Sequence, residues 1–553
     1  MGDDREYTAR PGRSTRRTFL KSGLLGGAAA AALPAFAALE RKVSGPAGEI
    51  PPFELDEISI DGLGRAMSAG DYTARSIVEA YRKRVDEVDP QGPGLHSVIE
   101  WNPDARAIAE ALDAERKAKG ARGPLHGIPV MVKDNIDTAD SMATTAGSFA
   151  LLGAAPAEDA WIVRRLRDAG AIILGKTNLS EWANMRSNHS TSGWSGRGGL
   201  TKNPYALDRN TSGSSSGSAV AVAANLCCVA VGTETDGSIV SPSSVNGIVG
   251  IKPTLGLVSR GGVIPISHSQ DTAGPMARTV RDAAVLLGTL AGYDPGDDVT
   301  AESRGRSFSD YTTFLDPRGL RGARIGVVRK YFGFLGAVDT VINEALVVLK
   351  QEGATLIDPA EIPTLGKFED AEFTVLLYEL KADLKRYLDR RGPGSPVHSL
   401  KEIIEYNERN VKSEMPYFGQ ETFLKAEAKG PLTTREYIAA LKTCRQLARK
   451  QGIDAVMNRH KLDALVAPTE GPAWVTDLVT GDHFIGGSST LAAVAGYPSI
   501  TVPAGFVFGL PVGMSFFGRA WSEPVLLKLA YAFEQSTRWR RPPRFLPTAD
   551  LGL

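Results

Sequence analysis

The sequence predicts an α/β protein folded as one continuous domain, and three observations carry that expectation. Short β-branched and apolar runs alternate with amphipathic helical stretches from residue 54 onward. No internal repeat and no linker-like composition interrupts residues 54–540, although a chain of 553 residues could hold several domains of ordinary size. The segment Ala219-Val-Ala-Val-Ala-Ala-Asn-Leu-Cys-Cys-Val-Ala-Val231 is too uniformly apolar for anything but a buried helix running into a buried strand.

The first 37 residues read as an address. Arg16-Arg17 in Thr15-Arg-Arg-Thr-Phe-Leu-Lys21 is followed by a mildly apolar Gly/Ala region and by Ala35-Phe36-Ala37, an A-x-A cleavage pattern. This resembles a twin-arginine export signal. The rival reading is an uncleaved membrane anchor, but the apolar stretch is short, only weakly hydrophobic and broken by Pro34. The expectation is a signal peptide over 1–37, an arm over 38–53 and an enzyme domain over 54–545. The protein would be exported by a bacterium to the periplasm or beyond, using the Tat machinery in transit and keeping no stable membrane anchor.

Charge argues against other partners. The chain has 63 basic and 63 acidic residues, and removing residues 1–37 leaves a net charge of −3, so no nucleic-acid partner is expected. Cys227, Cys228 and Cys444 are too few for a disulfide framework, and no Cys/His spacing suggests a zinc site.

Along the domain, residues 59–69 and 73–88 have helical spacing, the second with Thr73 as N-cap. Leu95–Trp101 reads as a strand, Asp104–Lys119 as an amphipathic helix stopped by Gly120, and Gly127–Ile136 as an apolar strand delivering Lys133 at its end. Ala160–Asp168 reads as a helix, Ala171–Leu174 as a strand and Gly175–Trp182 as the turn after it. A polar, Gly-rich excursion over 187–209 leads into Thr211-Ser-Gly-Ser-Ser-Ser-Gly-Ser218. Beyond the apolar segment come two further small-residue stretches, Gly232-Thr-Glu-Thr-Asp-Gly-Ser-Ile239 and Gly247-Ile-Val-Gly-Ile-Lys-Pro-Thr254. A helix is expected over 279–290, loop over 291–320, strand over 324–328 and mainly helix over 337–460. Strands return at 462–468 and 497–504, before a last helix over 524–535.

By composition alone, a Gly/Ser run is a linker. Its attachment to a buried segment makes a site the better reading. A phosphate-binding P-loop fails, because Gly217-Ser-Ala219 lacks the lysine. Gly213-Ser-Ser-Ser-Gly217 matches the G-x-S-x-G of a nucleophile elbow with Ser215 at its centre, but the preceding Asn203–Asn210 is turn-like, not a strand. None of the later histidines His268, His398, His460 and His483 sits in a context that would serve such a serine. A third reading makes Lys133 the base. A lysine at a strand end is as a rule a solvated charge, and it can act as a base only where burial or neighbouring positive charge lowers its pKa.

Four blocks in order, Gly127–Ile136, Gly213–Ala219, Gly232–Ile239 and Gly247–Thr254, resemble the amidase signature family, and Gly496–Ala504 and Gly509–Gly513 fit as well. The resemblance implies a single large domain with a twisted mixed β-sheet covered by helices on both faces. It also implies a Ser-cisSer-Lys triad with Ser238 as nucleophile, Ser214 as the bridging serine after a cis peptide, and Lys133 as base. The backbone N–H groups of Thr235, Asp236, Gly237 and Ser238 would form the oxyanion hole. No cofactor or metal is implied. Two departures from the common pattern stand out: Asp236 where a glycine is usual, and Val240 where an arginine is frequent. A carboxylate beside an oxyanion hole is costly unless it points away or is hydrogen-bonded.

Asp236-Gly237-Ser238, with Ser192–Gly199 upstream, makes the chain most similar to the peptide amidase branch, so the expected substrate is a peptide C-terminal amide or a similar small carboxamide. The 337–460 region would shape the pocket. Trp182 is a candidate to line it, with a place in the core as the alternative. Three other readings stand beside this one: an amidase of aryl or aliphatic amides, the ammonia-transferring component of an amidotransferase, and a binding protein that has lost catalysis. The intact Lys133, Ser214 and Ser238 argue against the last.

Overall fold

The computed structural model describes residues 50–153 and 155–551. The expected signal peptide and residues 38–49 of the arm lie outside the described residues.

Local sequence sets the helix boundaries where caps were expected. Thr73 Oγ1 accepts from the N–H of Ser76 at 3.0 Å while the N–H of Thr73 donates to Ser76 Oγ at 2.9 Å, a reciprocal cap that starts the helix Ala74–Val88. The helix Ala105–Lys119 ends on Gly120, whose N–H donates to the carbonyl of Arg116.

The strands are β1 (Val98–Trp101), β2 (Pro129–Lys133), β3 (Ile172–Thr177), β4 (Trp194–Ser195), β5 (Gly199–Leu200), β6 (Val229–Glu234) and β7 (Val249–Lys252). They continue with β8 (Thr272–Ala277), β9 (Arg324–Val327), β10 (Thr355–Ile357), β11 (Ala464–Pro468), β12 (Ser499–Val507) and β13 (Leu510–Phe517). Eleven of them form one sheet in the order β1-β3-β2-β6-β8-β7-β12-β13-β11-β9-β10, and β4 and β5 form a separate hairpin. The sheet is mixed: β3, β2 and β6 run parallel, as do β11, β9 and β10, whereas β6 to β11 are joined by antiparallel pairings through β8, β7, β12 and β13. Helices cover both faces, as expected for a sheet whose central strands are apolar on both sides. The helix Ser216–Ala223, buried at every position, and the helix Val280–Leu290 both pack on β6 and β8.

Three segments depart from the sequence expectation. Strand β3 does not turn at Gly175 but continues through Lys176 and Thr177. Lys176 is fully buried there, its Nζ donating to the carbonyl of Ile136 at 2.6 Å and to Thr144 Oγ1 at 2.8 Å, so a charged residue reads as a turn yet lies inside the sheet. Residues of the third small-residue block form β7, and Gly274-Pro-Met-Ala277 belongs to β8, although Gly and Pro weaken any strand signal. The close approach explains the composition: a Cβ at Gly274 would lie 2.1 Å from the carbonyl oxygen of Ile251.

The 337–460 region is mainly helical as expected, with β10 the exception. Its helices, including Glu369–Arg391 and Arg435–Arg445, bury Val375, Tyr378, Tyr437 and Cys444 in a second cluster shared with Leu465 and Ala467 of β11 and Phe517 of β13. All three cysteines are buried and free. The core proper lies along the sheet, where Phe516 of β13 meets Phe533 of the helix Glu523–Thr537 with ring centroids 5.8 Å apart.

Both rings are fully buried. Phe533→Ala is expected to destabilise the fold by about 3–5 kcal/mol through lost burial and the cavity left behind. Val347→Ala, at a side chain 51% exposed, should change stability by no more than about 0.5 kcal/mol. Thermal unfolding at a fixed scan rate checks both.

Candidate active site

Strands β2 and β6 are parallel neighbours in the sheet, paired Val132 to Val231, so their carboxyl ends open at the same place. Lys133 is the last residue of β2, and Thr233 and Glu234 are the last of β6. The Ser/Gly turn that starts the helix Ser216–Ala223 and the turn that follows β6 meet at this end.

Lys133, Ser214 and Ser238 form one hydrogen-bonded chain. Lys133 Nζ is 2.8 Å from Ser214 Oγ, and Ser214 Oγ is 2.9 Å from Ser238 Oγ. Lys133 Nζ also donates to Thr233 Oγ1 at 3.0 Å and reaches the Thr233 carbonyl at 3.4 Å; Asn135 Nδ2 donates to the same hydroxyl at 3.0 Å. Lys133 and Ser214 are fully buried, and Ser238 is 8% exposed. Burial pushes the Lys133 ammonium down to about 7, against the pull of Glu234 and Asp271.

The turn carrying Ser214 is held on every side. The Gly213–Ser214 peptide is cis, and a Cβ on Gly213 would lie 2.2 Å from Ser180 Oγ. Ser215, at the centre of the G-x-S-x-G match, is occupied otherwise: its N–H donates to the carbonyl of Ser238 at 3.1 Å and its Oγ to that of Thr233 at 3.0 Å. Ser212 Oγ donates to the buried carboxyl of Glu470, 3.1 Å from each oxygen. Burial raises that carboxyl to about 8.

The turn after β6 is shaped by its own acids. Glu234 Oε2 accepts from the N–H groups of Ile239 at 2.8 Å and Val240 at 3.0 Å, which closes the turn at the start of the helix Val240–Val245. Gly237 has φ +78°, and a Cβ there would lie 2.9 Å from Ser241 Oγ and 3.0 Å from Ser489 Oγ, so glycine is required twice over. The N–H groups of Thr235, Asp236, Gly237 and Ser238 donate to no other group among the described residues. Asp236 is half-buried, and its Oδ2 accepts from Thr490 Oγ1 at 2.7 Å, so the carboxyl is tied to the helix Ser489–Ala495. Burial raises its pKa above the usual carboxylate range. Asp271 accepts from Thr235 Oγ1 at 2.6 Å and from the N–H groups of Ile266 and Ser267, both at 2.8 Å; burial lifts it to about 6.

A narrow cavity opens over these groups, lined among others by Asn135, Ser214, Thr235, Ser238, Ile264 and Asp271. Its lining contains no histidine. Ala183 lines it, whereas Trp182 is 4% exposed and packs edge-on against Phe423, in the core alternative of the two places expected for it. The 337–460 region contributes no lining residue to this cavity; it braces the wall from behind. Glu379 on the helix Glu369–Arg391 accepts from Ser267 Oγ at 2.6 Å, from the N–H of Ser269 at 2.9 Å and from Tyr437 Oη at 2.6 Å. Asp383 accepts from the N–H of His268 at 2.8 Å and lies 2.9 Å from its Nδ1. The ligand atoms of His268, Glu379 and Asp383 lie within 4.8 Å of one another, but these donors already occupy the two carboxylates, which makes the trio a clasp on the loop.

Thr233, Asn135, Asp271 and Glu470 were not singled out by sequence. The first two stand inside quoted blocks and the signal was within reach; the other two come from unremarkable stretches that only the fold brings here.

Comparisons with known proteins give the family. A family model described as Amidase matches residues 76–527. The native peptide amidase from Stenotrophomonas maltophilia is similar with a TM-score of 0.85 and 53% sequence identity, covering 89% of this chain and 100% of that one. An amidase family protein from Bacillus anthracis is similar with a TM-score of 0.81 and 38% identity, covering 89% of this chain and 93% of that one. A probable amidase of Arabidopsis thaliana is 44% identical over 503 residues, 89% of this chain and 93% of its own length. A buried lysine and two serines at the carboxyl ends of central strands, on a chain matched over most of its length, place this protein in the amidase signature family of amide-hydrolysing enzymes.

Proposed function

We propose that the protein hydrolyses the carboxamide of a peptide C-terminus, or a similar small carboxamide, with Ser238 as nucleophile, Ser214 as proton bridge and Lys133 as base. The observation that carries this reading is the unbroken path of 2.9 Å and 2.8 Å from Ser238 Oγ through Ser214 Oγ to Lys133 Nζ. An uncharged lysine nitrogen has two N–H bonds and one lone pair. With Thr233 Oγ1 and the Thr233 carbonyl taking the two N–H groups, the lone pair is left for Ser214.

As Ser238 Oγ bonds to the amide carbon, its proton passes to Ser214 and the Ser214 proton to Lys133. The carbonyl oxygen becomes an oxyanion facing the free N–H groups of Asp236, Gly237 and Ser238, where one such donor is worth about 100- to 1000-fold in rate. Ser214 then returns a proton to the leaving nitrogen, the C–N bond breaks and ammonia departs. Water attacks the acyl-Ser238 ester by the same relay and releases the carboxylic acid. The likeness to a peptide amidase at 53% identity supports the substrate class. The export-signal pattern at Arg16-Arg17 supports a place outside the cytoplasm; among the described residues no helix is long and apolar enough to cross a membrane.

An ammonia-release assay over peptide amides, aryl amides and short aliphatic amides tests the reaction without any partner protein. Ser238→Ala is expected to fall to background, and activity surviving in it would end the assignment. Lys133→Ala should lose about 100- to 10,000-fold.

The base works only when neutral. With Lys133 near 7, kcat/KM should climb about tenfold per pH unit below that value and level off above it, a profile measurable on any accepted amide. A rate that fell with rising pH across 6 to 8 would contradict the role of the lysine.

Mass spectrometry of the protein recovered from the producing cell should find the chain starting after Ala37. Recovery with Met1 in place would overturn export by cleavage.

A further inference from the structure

One segment touches both halves of the catalytic arrangement and has no part in the relay. Residues 471–488 form a loop with a closed neck: the N–H of Gly471 donates to the carbonyl of Gly486 at 3.1 Å, and the N–H of Ser488 to that of Thr469 at 3.0 Å. Such a compact loop with adjoining ends carries its own packing. On one side of the neck Glu470 holds Ser212, two residues before Ser214. On the other side Thr490 holds Asp236, and Ser489 Oγ stands 3.0 Å from where a Cβ on Gly237 would be.

The loop is fixed to the body as well. Asn210 donates its N–H to the carbonyl of Trp474 at 2.7 Å, Thr191 Oγ1 donates to the carbonyl of Asp477 at 2.7 Å, and Ser192 Oγ donates to Asp482 at 2.5 Å. Against this anchored backbone four apolar side chains of the loop stay in water, Val475, Val479, Phe484 and Ile485, and of these the two at its neck, Phe484 and Ile485, are 56% and 48% exposed. Both lie over the neck. The Phe484 ring would be 3.2 Å from a Cβ on Gly487, and Ile485 Cγ1 2.8 Å from one on Gly471, which is next to Glu470. The Phe334 ring also borders the neck, 2.8 Å from the Cβ position of Gly486 and 3.7 Å from that of Gly471.

We infer that Phe484 and Ile485 form the acyl-side specificity surface, which receives an apolar or aromatic side chain on the residue bearing the scissile carboxamide. This rests on the amide-hydrolase reading above. An acyl group bonded to Ser238 starts between the two catalytic turns, and the neck of this loop adjoins both through Glu470 and Thr490, although no residue of the loop lines the cavity itself. Water is displaced from two side chains already held in place, so little ordering opposes binding. One buried methylene difference in such a contact discriminates by about 10- to 200-fold.

The test compares kcat/KM by ammonia release for N-acetyl-phenylalaninamide, N-acetyl-leucinamide and N-acetyl-glycinamide in the wild type, in Phe484→Ala/Ile485→Ala and in Phe484→Leu. The double variant is expected to lower the ratio of phenylalaninamide to glycinamide, and of leucinamide to glycinamide, about tenfold or more, mainly through KM. Phe484→Leu should keep most of the leucinamide preference. Ratios unchanged within twofold would overturn the inference, and so would an equal fall for all three substrates through kcat, which would make the loop a brace for the catalytic turns. Wild-type protein releasing no ammonia from any of the three would remove the underlying reading and this inference with it.

Discussion

The proposed relay depends on an amine buried, and so lowered in pKa, at the end of a central strand. Moving Lys133 out of water lowers its pKa, but two carboxyl groups close enough to oppose that shift, Glu234 and Asp271, lie around it. Neither bonds the lysine. Glu234 spends one oxygen on the N–H groups of Ile239 and Val240, and Asp271 is taken up by Thr235, Ile266 and Ser267. An ion pair in their place would hold the lysine protonated and leave it no lone pair. The same hydrogen bonds therefore shape the turn after β6 and leave the lysine without a paired carboxylate.

Buried acids elsewhere are handled in the same manner. Glu470 has hydroxyl partners and no cation, and its pKa is raised, so it packs behind Ser212 as a neutral group. Asp236, the residue that breaks the common pattern, is tied to Thr490 and is raised likewise. The cost of a carboxylate at this turn is thus offset in part by the hydrogen bond from Thr490. Asp383, held low by His268 and Arg386, secures the outer loop and lies outside the cavity lining.

Much of this was legible in the sequence because it is local. The cap at Thr73, the stop at Gly120, the apolar helix-strand pair 219–231 and the lysine ending β2 are written in a few adjacent residues. What was missed depends on contacts distant in sequence. Strands β7 and β8 each carry a Gly at a close approach, Gly250 against the Ser243 side chain and Gly274 against the Ile251 carbonyl, and these small residues hide the strand pattern. Glu470 lies 258 positions from the Ser212 it supports, and no periodicity predicts such a partner. Trp182 could be placed near the cavity by its position after β3, but which way an indole turns is settled by packing, here against Phe423.

The intermediate serine has a physical rationale in the proposed relay. The nucleophile must be reachable, and Ser238 is 8% exposed, whereas Lys133 is fully buried. A lysine in direct contact with an accessible serine would sit closer to water, and hydration would move its pKa back toward the ordinary value of about 10.4, leaving little free base at neutral pH. Ser214, also fully buried, separates the two requirements by one hydrogen bond. It can hand on a proton without itself needing a shifted pKa, because each hydroxyl both accepts and donates. The tightly held turn around Gly213 then follows from the relay: a bridge that wandered by an ångström would break both contacts at once.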